Sequence, residues 1–423
     1  MSAGSLLSHT PPLVAEVVAI GSEMLFSGRL DTNSVYIGSQ LEQYGVQVIA
    51  KSVVADDVKL IGSALALALT RADLIFLTGG LGPTEDDLTR HAVSGQLGLE
   101  LIYHQEIVDQ ITERFRKLGR TMHEINKRQG FILQTAVPLE NSRGTAPGQY
   151  LRVQGRHLFL LPGPPRELQP MIETHVLPLL DGLGLRARPR KYFRIAGLPE
   201  SQVDATVAPI YQEYSEIQTT ILASPGDIEL FFFAQEESPR LAELAARVAA
   251  VLGDDVYATE EVSLETVVGR LLKERGATLA VAESCTGGML GEWITRSAGS
   301  SDFFLGGIVA YSNALKEQLL DVPQELLRRH GAVSGPVAEA MAVGARSRAR
   351  ADYALAITGV AGPSGGSAEK PVGTVFVGYS DAEGGRRAVH FHFLGEREVV
   401  RVLGTRAALN LLRKELLSRA KGA

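Results

Sequence analysis

The sequence predicts an α/β fold in three parts: a doubly wound, mostly parallel sheet over 1–180, a small α+β connector module over 181–261, and a second α/β unit over 262–423. Two observations predict it. Apolar strand-like runs alternate with helix-periodic runs at both ends of the chain, and strands that are apolar throughout belong in a parallel sheet covered on both faces. Between these ends, short segments follow a βαββαβ order, which reads as a compact α+β module. At roughly 150 residues per domain, a 423-residue chain has room for about three.

The first part opens with "LVAEVVAI" (13–20), a β-branched apolar run that stops at Gly21. "TNSVYIGSQLEQYG" follows as a helix, with Thr32 and Asn33 as capping residues and Gly45 as its stop. "VQVIAKSVVADD" is a strand, "VKLIGSALALALTRA" a helix with one buried face, and "DLIFLTGG" (73–80) a third strand. "DDLTRHAVSGQLG" is the next helix, and "HLFLLPGPPRELQPM" (157–171) adds a late strand and a rigid loop. In such sheets ligands bind where loops leave the carboxyl ends of the strands. The leader "MSAGSLLSHTPP" has no basic region and only a short apolar one, so it reads as a frayed end rather than a secretory signal.

The middle part runs strand "KYFRIAG", helix "ESQVDATVAPIYQEY", strands "QTTILA" and "DIELFFFAQ", helix "PRLAELAARVAAVLG" and strand "DVYAT". It gathers no catalytic groups. Its basic run, Arg186, Arg188, Arg190, Lys191 and Arg194, could touch phosphates, but a solvated linker is the plainer reading. The last part begins with helix "LETVVGRLLKERG" and strand "ATLAVAES". Helix "GGMLGEWITRSAG", strand "DFFLGGIVAYS", helix "PVAEAMAVGARSRARA" and strand "YALAITG" follow. "PVGTVFVGY" and "RRAVHFHFLG" read as neighbouring strands, and an amphipathic helix closes the chain.

Bulk properties exclude several classes. A net charge of −6 argues against a dedicated nucleic-acid binder, which shows a basic footprint. One cysteine makes no internal disulfide and no multi-cysteine zinc site, which fits a reducing cytoplasm. No apolar run approaches the ~18–20 residues needed to cross a bilayer, so no membrane partner is expected.

That single cysteine stands in "AESCTGG" (282–288), where Ser284 and Cys285 are alternative nucleophiles at the mouth of a glycine turn. Cys285 would want a histidine to hold it as thiolate. His330, His390 and His392 are not obviously placed for that, and a buried spectator is the plainer reading. Ser284 needs a base, and "AYSNALKEQLL" (310–320) supplies Tyr311, Asn313 and Lys316 where a strand turns into a helix. A lysine of ordinary pKa ~10.4 must be made neutral to act as a base, at about 4 kcal/mol, which burial can provide. Gly287 and Gly288 let backbone N–H groups approach a substrate oxygen at a helix N-terminus; one such donor is worth ~3–4 kcal/mol to a tetrahedral transition state. A purely structural turn remains the alternative.

"AESCTGG", "AYSNALKEQLLDV", "HGAVSGPVAEAMA" and "AITGVAGPSGGSAEKPVGTVFVG" together resemble the C-terminal amidase domain of the CinA family. The resemblance implies hydrolysis of the carboxamide of nicotinamide mononucleotide to nicotinate mononucleotide and ammonia, without a cofactor. It implies Ser284 as nucleophile, Lys316 as its base and Tyr311 assisting proton transfer. Around them, Cys285, Thr286, Gly287, Gly288, Asn313, Thr358 and Gly359 are expected to line the substrate, with Arg401 at its phosphate.

In the first part, "TGGLGPTEDDLTRHA" (78–92) is a strand, a glycine loop and a helix, but neither a Walker loop nor a dinucleotide fingerprint. Its backbone suits an anion. Asp86 and Asp87 suit a phosphate that carries a divalent cation, or they simply cap the next helix. Glu23, Asp31, Asp56 and Asp57 are expected on the same edge. With "IGSEML", "DTNS", "NSRGTAPG" and "LPGPPREL", this pattern is similar to the molybdopterin-binding-like N-terminal domain of the CinA family. The resemblance implies metal-dependent cleavage of ADP-ribose to AMP and ribose 5-phosphate. Glu23, Asp31, Asn33, Gly79, Gly80, Gly82, Pro83 and Thr84 would hold the nucleotide, and Asp86 and Asp87 the metal, of unspecified identity. A homodimer in the cytoplasm is implied as well. Two other readings stay open: a non-catalytic accessory protein of competence or DNA-damage response, and a molybdopterin-binding protein.

Overall fold

The computed structural model describes residues 13–421, with side chains through 419, so the leader lies outside the described residues. The chain divides into two compact units, one ending at Arg188 and one starting at Pro189.

The first unit contains β1 (Val14–Ile20), α1 (Glu23–Phe26), α2 (Asn33–Gln43), β2 (Gln47–Val54), α3 (Val58–Arg71), β3 (Leu74–Thr78), α4 (Thr89–Leu97), β4 (Leu101–Tyr103) and α5 (Gln105–Lys117). Then come β5 (Phe131–Leu133), β6 (Val137–Leu139), β7 (Gly148–Val153), β8 (Arg156–Leu161), α6 (Pro165–Met171) and α7 (Leu177–Gly182). Six strands form one sheet in the order β2-β1-β3-β8-β7-β6. The first four are mutually parallel, and β7 and β6 run antiparallel. Because successive side chains face opposite sides, each central strand feeds two cores. Val18, Ile75, Leu77, Leu158 and Leu160 pack with Ile61 and Leu65 of α3. Val17, Phe76 and Phe159 pack with Ile37 and Leu41 of α2 and Leu168 of α6. This is the doubly wound, mostly parallel sheet that the sequence predicts.

The second unit holds two sheets. β9 (Arg190–Ile195), α8 (Glu200–Tyr211), β10 (Gln218–Ser224), β11 (Asp227–Phe233), α9 (Pro239–Leu252) and β12 (Val256–Ala258) make the predicted α+β module, an antiparallel sheet in the order β10-β11-β9-β12. Arg194, expected in a solvated linker, is instead largely buried in an ion pair with Asp227.

The larger sheet follows: α10 (Leu264–Glu274), β13 (Leu279–Glu283), α11 (Met289–Arg296), β14 (Phe304–Val309), α12 (Asn313–Leu320), α13 (Gln324–His330), α14 (Gly335–Ala349), β15 (Tyr353–Gly359), β16 (Thr374–Asp381), β17 (Arg386–His392) and α15 (Arg397–Lys421). Its order is β14-β13-β15-β16-β17, with the first three parallel and the last two a hairpin. Residues of α10, α11 and α15 fill one face, and those of α12, α13 and α14 the other. Among the described residues no helix is long and apolar enough to cross a membrane.

Candidate functional site

In the second unit the carboxyl end of β13 delivers Ser284 to the sheet edge, and the turn after β14 delivers Lys316 on the first turn of α12. Ser312 caps that helix through the Leu315 N–H. Ser284 is buried and Lys316 fully so. Lys316 Nζ lies 3.1 Å from Ser284 Oγ, 2.7 Å from the Ala310 carbonyl oxygen and 3.0 Å from that of Tyr311. Burial lowers the lysine pKa. A neutral amine has two N–H donors and one lone pair. Two carbonyls and one hydroxyl match the three N–H donors of an ammonium, or a neutral amine whose lone pair faces the serine proton.

Tyr311 reaches this cluster through its carbonyl. The residue is 60% exposed, and its hydroxyl lies 3.4 Å from Nη2 of Arg397. Cys285 is buried, and burial pushes its thiol pKa up to about 11, which keeps the thiol protonated at neutral pH. Among the described residues none of the three histidines hydrogen-bonds to the pair; His390 stacks on Phe376 in the β16–β17 hairpin.

The glycine turn works differently from the expectation. Gly288 sits at φ +103°, a conformation that L side chains rarely adopt, and it begins α11. Its N–H is not free for a substrate: it donates to Glu283 Oε2 at 3.0 Å, and the Gly287 N–H donates to the Ser284 carbonyl. The Ser284 N–H goes to Ile357. Among the described residues the N–H groups of Cys285 and Thr286 have no acceptor, so these two, rather than the glycine amides, are the unpaired donors of the turn. The Thr286 hydroxyl is likewise buried without a partner.

Other expected contacts are committed elsewhere. The Thr358 hydroxyl donates to the Ala332 carbonyl, and Gly359 pairs with Val375 in the sheet. Asn313 is exposed at the start of α12. Arg401 does not stand free for a phosphate: it donates to the Thr286 carbonyl at 2.8 Å and pairs with Glu398. Sequence reasoning missed Arg397, an exposed guanidinium one helical turn earlier. It donates to the Gly362 carbonyl at 2.8 Å and reaches Tyr311.

The first unit has its own cavity, about 380 Å³, at the carboxyl edge of the sheet. Glu23, Gly79, Gly80, Gly82, Pro83, Thr84, Asp86 and Asp87 line it, whereas Asp31 and Asn33, expected at the same nucleotide, do not. Gly79, at φ +104°, passes so near the Ile20 carbonyl that a Cβ would lie 2.2 Å from it. Beneath the loop the buried Arg90 donates to the carbonyls of Leu81 and Gly82, setting a positive charge under the cavity floor.

The acids divide by task. Asp31 and Asp57 cap α2 and α3, at the N–H groups of Ser34 and of Lys59 and Leu60. Thr32 and Asn33 therefore do not cap α2 as expected; Asn33 donates its amide to Gly163. Asp56 accepts from the Ser22 N–H. Asp86 and Asp87 lie before α4, which starts at Thr89, and neither caps it. Asp87 folds the glycine loop, accepting from the N–H groups of Gly82 and Thr84 at 2.7 Å each. The Thr84 hydroxyl holds the exposed Asp86 below the usual carboxylate range. Only one Asp86 oxygen is engaged by that hydroxyl, so of the two expected ligands Asp86 is the one with capacity for a cation. Among the described residues no three His, Cys, Asp or Glu side chains gather as a metal cluster. Gln129, Thr145 and Glu167 also line the cavity. The quoted motifs contained the last two; Gln129 gave no signal.

Fold and site define a two-unit α/β protein with a loop-lined cavity in one unit and a buried serine–lysine pair in the other. The chain belongs to the CinA family. Residues 261–416 match the family described as "CinA C-terminal domain", and residues 16–182 that described as "Probable molybdopterin binding domain". A CinA-like protein from Solibacter usitatus (strain Ellin6076) is 45% identical over 415 residues, covering 97% of this chain and 100% of that protein. One from Acidobacterium capsulatum is 43% identical over 415 residues, covering 96% and 100%. Among solved structures, a competence-damaged protein (CinA) superfamily protein from Klebsiella pneumoniae is 37% identical, covering 37% of this chain and 96% of that one, with a TM-score of 0.36.

Proposed function

We propose that this chain is a cytoplasmic bifunctional hydrolase of pyridine-nucleotide salvage, whose second unit converts nicotinamide mononucleotide to nicotinate mononucleotide and ammonia. The observation that carries this reading is Lys316 Nζ at 3.1 Å from Ser284 Oγ, inside a buried site with two carbonyls fixing the amine. An amide is a poor electrophile with a poor leaving group, so attack, oxyanion stabilisation and protonation of ammonia must all be supplied. The neutral Lys316 takes the Ser284 proton as Oγ bonds to the carboxamide carbon. The negative oxygen of the tetrahedral intermediate meets the N–H groups of Cys285 and Thr286. Lys316 then gives its proton to the departing nitrogen as the C–N bond breaks. Water, deprotonated by Lys316, hydrolyses the acyl-enzyme. Tyr311 supports the amine through its carbonyl, and its phenol with Arg397 lies on the open side, where a phosphate would enter. Purified chain should release ammonia and nicotinate mononucleotide in equal amounts; nicotinamide mononucleotide left intact would refute the assignment.

For the first unit we propose cleavage of ADP-ribose to AMP and ribose 5-phosphate. The glycine loop over the buried Arg90 supports pyrophosphate binding, since the N–H groups of Gly80 and Leu81 have no acceptor among the described residues and a positive charge lies beneath them. Of the two expected ligands, Asp86 would hold a divalent cation that arrives with the substrate, since Asp87 is engaged by the Gly82 and Thr84 amides. When bound, such a cation neutralises the pyrophosphate and lowers the pKa of a water. AMP formation that requires added divalent metal is expected for the intact chain and lost in Asp86→Asn; turnover unchanged in that variant would remove Asp86 from the site.

A further inference from the structure

Three amides at the start of α11 converge on one carboxylate. Glu283, the residue before Ser284, is 1% exposed. Its Oε2 accepts from the N–H groups of Gly288 and Leu290 at 3.0 Å each, and its Oε1 from that of Gly291 at 2.9 Å. Among the described residues no lysine or arginine shares it, so the partial positive charge of the helix end is what balances it.

We propose that Glu283 is a positioning residue for the serine–lysine pair: its carboxylate ties the end of β13 to the start of α11, and so fixes the turn that carries Ser284. The proposal rests on the reading of Ser284 and Lys316 as nucleophile and base. That turn is pinned at three points. The Ser284 N–H is held by Ile357, the Thr286 carbonyl by Arg401, and the far end by Glu283. Glu283 alone joins the strand to the helix within the turn itself. By occupying the Gly288 amide it also restricts the free donors of the turn to Cys285 and Thr286. A glutamine has the same shape but only one acceptor oxygen, so its NH₂ group would face one of these amides donor to donor. The turn would shift, and Oγ with it.

Sulfonyl labelling tests this without relying on the natural substrate. With phenylmethanesulfonyl fluoride, Ser284 Oγ bonds to sulfur, the S–F bond breaks, fluoride leaves and Lys316 takes the proton. Mass spectrometry of the full chain should find the label on Ser284, with Lys316→Ala slower by ~100-fold or more. Glu283→Gln, with unchanged near-ultraviolet circular dichroism, should label at least ~10-fold slower than wild type. In Glu283→Ala, formate should restore labelling saturably, since it returns a carboxylate to the three amides. Wild-type labelling in Glu283→Gln, or a folded Glu283→Ala that stays slow in formate, overturns the positioning role. An unlabelled Ser284 in wild type, or fast labelling in Lys316→Ala, sinks the pair itself.

Discussion

At the scale of single residues, everything turns on the protonation of one amine. Lys316 has no carboxylate among its hydrogen-bond partners, and burial lowers its pKa. The base is therefore disarmed as pH falls through the lowered value. Turnover of nicotinamide mononucleotide per unit KM should rise with pH along a limb centred below the ordinary ~10.4 of lysine. A limb at or above that value would contradict a buried, neutral base. The linkage has a definite sign. The folded state releases this proton at lower pH than the unfolded state, so this group's contribution to stability rises with pH between the folded value and ~10.4. Lys316→Arg should be inactive across the whole range, because arginine cannot be deprotonated. The neighbouring thiol is the complement. With its pKa pushed up to about 11, Cys285 should resist iodoacetamide at pH 8 in the folded protein and react once urea exposes it. Rapid alkylation of the native chain would place the thiolate back among the candidate nucleophiles.

At the scale of elements, α15 does more than cover the sheet. Along one helix Arg397 reaches the Gly362 loop, Arg401 the nucleophile turn and Arg406 the β10–β11 hairpin. Further on, Arg413 and Lys414 grip the segment before β12. Asp227 is the hub of that contact, buried against Arg194, Arg406 and the Tyr257 hydroxyl. Removing its charge leaves Arg406 without its carboxylate partner and Arg194 with only Glu229, at 3.8 Å. Asp227→Asn should destabilise the second unit by roughly 3–5 kcal/mol, read as a lower urea midpoint; an unchanged midpoint would show the cluster to be structurally idle. The sequence showed α15 as an amphipathic helix and nothing of these attachments, since guanidinium-to-carbonyl contacts leave no periodic trace. The same limit explains the acids at the edge of the first sheet. Their crowding was legible, but which of them cap helices, as Asp31 and Asp57 do, depends on where each loop closes. The strands β4, β5 and β6 escaped for a simpler reason, since three residues are shorter than any period that would reveal them; α5, with Ile107, Val108 and Ile111 on its buried face, carried a helical period that went unread.

At the scale of the whole molecule, the alternation of apolar strands and helices was legible because buried parallel strands are apolar on both faces, as Val17 and Val18 illustrate in adjacent cores. The pairing of Ser284 with Lys316, thirty-two positions apart, was legible through motifs at two strand ends; that the turn's free donors are Cys285 and Thr286 required the backbone. Each candidate site is built from residues of one unit, so the two activities should separate cleanly. Ser284→Ala should leave ADP-ribose cleavage unchanged, and Asp86→Asn should leave ammonia release unchanged; loss of both activities in either variant would show that the sites depend on each other. The most direct test of the central claim compares ammonia release from nicotinamide mononucleotide by wild type, Ser284→Ala, Lys316→Ala and Cys285→Ala. The serine and lysine variants should fall by at least ~100-fold while the cysteine variant keeps most of its activity. A working serine variant beside a dead cysteine variant would contradict the account.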